Sequence, residues 1–158
     1  MSDESRRSPL WPADNPTVIA HVAMLQGIIA RLANNSAASK TWCLALLGAL
    51  FAFAGAAHLP ALVNFAPVPI VAFGYLDAMY LAQERAYRKL FAAVRQSIRE
   101  GRYGIEQSYE AAAPLEPGAL PAALRSWSVY PVYLGLLVVW ALAASLGWLA
   151  PIAGRQSG

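Results

Sequence analysis

The chain contains two long runs without a charged side chain, one between Lys40 and Asp77 and one between Arg125 and Arg155. A bilayer-spanning helix needs ~20 mostly apolar residues to cross a hydrocarbon core of ~30 Å, so the second run holds one span and the first has room for two. The first span is expected over 41–57. His58-Leu59-Pro60 then ends it, and Pro67 and Pro69 crowd the start of the next, where proline is tolerated because the first amides of a helix have no intrahelical partner. Each arm of this hairpin offers roughly 15 to 18 apolar residues, so snorkelling at Lys40, local bilayer thinning and a partly re-entrant hairpin all remain open.

Polar patterning continues both arms beyond the apolar run. Asn15-Pro16 suits a helix start, and Val18, Val22, Leu25, Ile29 and Leu32 then recur in alternating steps of four and three, leaving His21, Arg31, Asn34 and Asn35 largely off the stripe. From Tyr75 no proline or glycine occurs until Gly101, and Tyr80, Tyr87, Phe91, Val94 and Ile98 form a second stripe with a gap at Glu84. An apolar stripe outside the membrane needs a partner. Val22, Leu25 and Ile29 are therefore expected to pack on Tyr87, Phe91 and Val94 across two antiparallel helices. The predicted fold is all-α: an integral membrane protein with a long antiparallel helical hairpin extending into the cytoplasm, plus a third transmembrane helix. Its parts are a disordered tail over 1–14, the hairpin with its extensions over 15–100, a glycine- and proline-rich cytoplasmic loop over 101–126, the third helix over 127–150 and a tail over 151–158. Trp127, Tyr130 and Tyr133 stand at one end of that third helix and Trp148 at the other; Trp127 and Trp148 are about 21 residues or ~31 Å apart along a helix, the spacing of two interfacial aromatic belts.

Composition agrees with this reading: of 158 residues, 58% are hydrophobic and only 13% charged. The distribution of charge adds an orientation. Of the twelve basic residues, all but Arg155 precede the first span or lie between the second and third, which places the N-terminus and the segment 83–125 in the cytoplasm and the C-terminus outside an inner membrane. The N-terminal arginines have no apolar run behind them, so no cleavable signal peptide is expected. The single cysteine, Cys43, excludes an internal disulfide and reads as a small core hydrophobe.

Polar residues at membrane depth are the default functional suspects, and here they are Asp77, His58 and Asn64. Asp77 is read as an interfacial carboxylate paired with Lys40 or Arg31, and His58 and Asn64 as outer-turn residues. Glu84 and Arg88 have the spacing of a surface i,i+4 pair. Ala45, Ala49, Ala52 and Ala56 share one face of the first span, the kind of small-residue face along which helices associate in lipid, so a homo-oligomer is expected. Arg85, Arg88, Lys89 and Arg95 form a juxtamembrane basic cluster suited to acidic lipid headgroups, and no nucleic acid is expected as a partner. The sequence has no paired-histidine metal motif, no cysteine pair and no phosphate-cradling glycine loop, so neither enzymatic activity nor a cofactor is expected.

The segments QGIIARLANNSAASKTWCLALLGALFA and FGYLDAMYLAQERAYRKLFAAVR carry an NNS then K-x-W order and an LDA-x-YL-x-x-ER-x-YR-x-L run. In these marks the chain resembles small bacterial membrane proteins of the SLATT type, two-transmembrane effector or accessory components found beside antiphage systems. The resemblance covers about half of the chain, leaves the third span outside it and implies no catalytic residues. It implies a membrane effector or accessory that docks a cytoplasmic partner and acts on the membrane, by permeabilising it after oligomerisation. A small transporter or channel subunit is the alternative, and would need a polar path for which only Asp77, His58 and Asn64 offer themselves.

Overall fold

The computed structural model describes residues 10–109 and 111–145. Tail residues 1–9 and everything from 146 onward, with Trp148 and Pro151, lie outside the described residues. Five helices, α1 (Pro16–Ala56), α2 (Pro67–Arg99), α3 (Ile105–Ser108), α4 (Ala119–Leu124) and α5 (Tyr130–Ser145), are joined by turns and one 3-10 segment, Pro60–Phe65. The described residues contain no strand, only an isolated bridge between Leu10 and Gly104.

Asn15 caps α1 as its sequence suggests, accepting the Thr17 amide at 2.8 Å on Oδ1. The helix then runs for 41 residues, about 61 Å, without a break. The polar patch 34–39 does not interrupt it. Ser39 turns its hydroxyl back onto the Asn35 carbonyl at 2.9 Å, satisfying within the helix a group that would otherwise compete with it.

Both long helices end by the same device with different residues. After α1 the amides of His58 and Leu59 bond back to the carbonyls of Gly55 and Ala54, and after α2 those of Gly101 and Arg102 bond back to Ile98 and Ser97. The residue at the turn must adopt a left-handed backbone, and Gly101 does so at φ +62° without steric cost. His58 does so at φ +54°, with a Cβ in the way, at a cost of about 1–2 kcal/mol. His58 thus serves as a helix stop, and the 3-10 segment carries the chain to α2.

α1 and α2 lie antiparallel along most of their length. Their seam follows Val18, His21, Leu25, Ser36, Ser39, Cys43, Leu47 and Ala54 on α1, the 3-4 stepping of helices packed at a shallow angle. Buried partners on α2 are Ile70, Gly74, Asp77, Ala78, Ala82, Glu84 and Val94. This corrects the expected stripe in two places: His21, expected off the stripe, is buried, and Ile29, expected on it, is half-buried and outside the core formed by Val18, Leu25, Val94 and Tyr103. The seam passes between Ile28 and Ile29, so neither side chain points squarely at α2.

Two further corrections concern the segments read as irregular. Within 101–126, α4 forms and buries Ala123 against α2; Gly118, at φ +85°, makes the turn into it. At the other end of the molecule order begins before Asn15: the Trp11 amide bonds to the Tyr103 carbonyl at 2.9 Å and the two rings meet at 6.3 Å. Trp11 packs against a core of Val18, Leu25, Val94 and Tyr103 at the end of the hairpin away from its turn, a part termed the stalk.

α1 and the stretch Pro60–Arg99 are each long and apolar enough to cross a membrane. α5 is apolar and shorter over its described residues. It packs on α2 through Tyr133, and its Trp140 donates its indole N–H to the Val63 carbonyl at 3.1 Å.

Candidate functional site

Ser36 and Lys40 are one turn apart on α1, facing the point where α2 presents Asp77. Ser36 donates its hydroxyl to Asp77 Oδ1 at 2.5 Å, and the Lys40 ammonium meets Oδ2 at 2.6 Å. Asp77 is fully buried while the Lys40 side chain keeps 23% of its surface exposed. A buried carboxylate costs several kcal/mol in desolvation, which only a well-placed cation with further hydrogen bonds can offset, and both are present here. Of the two cations offered by the sequence, Lys40 makes the pair and Arg31 remains exposed. Beside the pair, the ring of Tyr133 from α5 lies against Gly74, and its buried hydroxyl sits near the Asp77 carboxylate without completing a hydrogen bond. Asp77 Oδ1 is hydrogen-bonded and Oδ2 is ion-paired, so the carboxylate ties α1 to α2 with the Tyr133 ring of α5 packed beside it, and it offers no free base.

Toward the hairpin turn the interior becomes apolar: Cys43, Leu47, Ala66 and Ile70 fill it. Cys43 is fully buried, with its thiol 3.9 Å from the Pro69 carbonyl. His58 and Asn64 are exposed in the turn and make no common site with Asp77. Ala45, Ala49, Ala52 and Ala56 are all exposed, on the side of α1 turned away from α2.

The basic cluster divides. Arg85 donates to Ser126 Oγ at 2.8 Å and to the Ala122 carbonyl at 3.5 Å, and Lys89 pairs with Glu116 at 2.7 Å. Arg88 turns to Glu84 at 2.7 Å, and Arg95 lies over the Phe91 ring at 5.9 Å. Glu84 is buried, so its pair with Arg88 is a surface pair on one side only.

In the stalk, Val22, Leu25, Tyr87, Phe91 and Val94 share a core with Val18, Leu90, Ile98, Trp11 and Tyr103. Its polar centre is His21, whose Nδ1 is 2.6 Å from the Tyr103 hydroxyl, while Nε2 is buried without a partner among the described residues. Burial pushes the Tyr103 phenol up from its ordinary pKa. Sequence reasoning missed this pair: Tyr103 sits in a glycine-flanked loop 82 residues from His21, and the only signal was a large aromatic in an otherwise polar turn.

Among the described residues no three His, Cys, Asp or Glu side chains gather as a metal site. Compared with protein-family models, curated proteins and solved structures, the chain matches none.

Proposed function

We propose that the chain is a non-enzymatic bacterial inner-membrane protein that presents a rigid helical stalk to a cytoplasmic partner. In this reading the hairpin crosses the bilayer with the N-terminus and stalk inside, and α5 makes a third crossing. The observation that carries it is how little of the apolar surface the chain covers for itself. Only 22% and 28% of the most apolar windows of the two long helices are buried, whereas the core helix of a water-soluble protein would be mostly covered. Leu44, Leu46, Phe53, Val68, Val71 and Val139 are among the large side chains left facing outward, and a bilayer is the solvent that accepts them.

The motifs resembling SLATT-type proteins make an antiphage effector or accessory the particular role proposed. The exposed face of Ala45, Ala49, Ala52 and Ala56 would be the surface for self-association, and assembly of copies the route to permeabilisation. A small transporter or channel subunit has less support, because Asp77 is closed off by Lys40 and Ser36 and the interior beyond it is apolar.

Cysteine accessibility at Gln107 and Gln156 in whole cells tests the architecture. Gln107 is expected to be shielded from an impermeant reagent and Gln156 to be labelled; a shielded Gln156 would remove the third crossing, and labelling at Gln107 would reverse the orientation.

A further inference from the structure

We infer that the groove between α2 and the loop leading into α4 is a binding site for the phosphate of an anionic phospholipid headgroup. The groove has a volume of about 450 Å³. Ala82 and Ala86 open it by their small size, Arg85 and Lys89 line one side, and Pro114 and Glu116 close the other.

Three observations point to an anionic lipid. The first is depth. Arg85 is held by Ser126, the residue before Trp127, and Trp127 is 84% exposed with Tyr130 exposed three residues on. Exposed aromatics of this kind mark the headgroup layer, where one end of the ring is in apolar surroundings and the other in water. The groove therefore opens at the level of lipid phosphates. The second is charge. Arg85 and Lys89 are one turn apart with their heads on the same groove, a fork donor beside a point charge, which is the pair of chemistries that phosphate oxygens accept. The third is the present occupant. Glu116 Oε2 lies 2.7 Å from Lys89 Nζ, so an anionic oxygen already sits where the phosphate would. Both partners of that pair are 66% exposed, and such pairs hold weakly. Glu116 is two residues from Gly118, whose left-handed turn sets the loop's path, so a headgroup can displace the carboxylate without disturbing α2.

Arg88 and Arg95, the other two members of the cluster, do not line the groove. Arg88 is held on Glu84, and Arg95 lies on Phe91 far along the stalk.

The inference rests on the proposed membrane crossing, and its test separates the two. The full chain is first assayed for alkali-resistant membrane insertion, then solubilised and titrated with phosphatidylglycerol and with phosphatidylcholine under native mass spectrometry. The wild-type chain is expected to retain phosphatidylglycerol preferentially. Arg85→Gln and Lys89→Gln should each lower that preference about fivefold, the effect of one cation near an anionic surface, and leave phosphatidylcholine unchanged. Arg95→Gln should change nothing. Glu116→Gln should raise the preference, a gain that misfolding cannot produce. Equal losses from Arg95→Gln and Lys89→Gln, or no gain from Glu116→Gln, would overturn the site in a chain that still inserts. Displacement of the lipid by millimolar inorganic phosphate would reassign the groove to a soluble phosphate. A chain that fails to insert refutes the membrane crossing, and the lipid site falls with it.

Discussion

The hairpin is closed by two cores that differ in their share of small residues. Near the apolar run, small residues, Cys43, Ala66, Ala78, Ala82 and Ala123, alternate with Leu47, Ile70, Val129 and Tyr133, so helices approach closely at some levels and are spaced by large side chains at others. In the stalk, the seam is built from Val18, Leu25, Val94 and Tyr103, with Trp11 and Phe91 packed around. The difference follows the proposed solvent. In lipid, burying a leucine gains nothing over leaving it among acyl chains, so association depends on close approach and polar contacts. In water, burying a large apolar side chain stabilises by about 1.5–3 kcal/mol, so the stalk collects them. Each core also holds one buried polar link: an ion pair between α1 and α2 with α5 packed beside it, and a His21–Tyr103 hydrogen bond where a loop is latched to a helix.

The sharpest break of this comparison is Lys40→Met. It leaves the Asp77 carboxylate buried with only Ser36 for company, and should cost about 3–5 kcal/mol, the usual penalty for orphaning a buried charge. Lys40→Met with Asp77→Leu should recover most of that loss, since the site would then match the apolar interior beside it. Thermal unfolding in detergent measures both. If the single variant were as stable as the double, the pair would be a surface contact and the first core would need no ionic link.

Tyr103→Phe tests the other link at smaller scale. It removes the one hydrogen-bond partner of His21 among the described residues and should cost about 1–3 kcal/mol, seen as release of Trp11 in fluorescence while the seam beside the apolar run is undisturbed. The same residue sets an alkaline limit. Because burial raises the Tyr103 pKa, the unfolded chain loses its phenolic proton near pH ~10 while the folded chain keeps it, so this contribution is complete below that pH and declines as pH rises above it. Wild type should loosen at Trp11 above that pH. The Phe variant, already loosened, should show no further step.

How much of this was legible beforehand follows the same division. Charge-free runs and 3-4 stepping are local, and they located both long helices and five of the stalk residues, Val22, Leu25, Tyr87, Phe91 and Val94, while the partner of Asp77 stayed open between Lys40 and Arg31 until the structure showed Lys40. What lay between elements was not legible. Nothing local brings Trp11 and His21 to Tyr103, since that contact depends on where a loop lands after α2 has ended at Gly101. Nor does spacing say which small face of α1 meets α2: Ala54 turns inward while Ala45, Ala49, Ala52 and Ala56 turn out, because the seam follows Cys43 and Leu47. Glu84 was placed at a gap in the stripe, and the gap is filled by Glu84 itself, neutralised at its outer edge by Arg88.

The finest test of close approach is Gly74→Ala. A Cβ added at Gly74 would lie 3.1 Å from Tyr133 Cγ and 3.4 Å from both flanking ring carbons, over the face of the ring. That is tight enough to push α5 away by a few tenths of an ångström. Against this, alanine in a helix interior is favoured over glycine by about 0.5–1 kcal/mol, so the net change in stability should fall within about 1 kcal/mol of zero. The two contributions separate by adding Tyr133→Ala. In that background the clash is gone and only the helix gain remains, so Gly74→Ala should then stabilise. A helix-seated tyrosine that tolerates the methyl equally well in both backgrounds would mean that α5 rests loosely on the hairpin. The contrast between the seam beside the apolar run and the stalk would then hold for α1 and α2 alone.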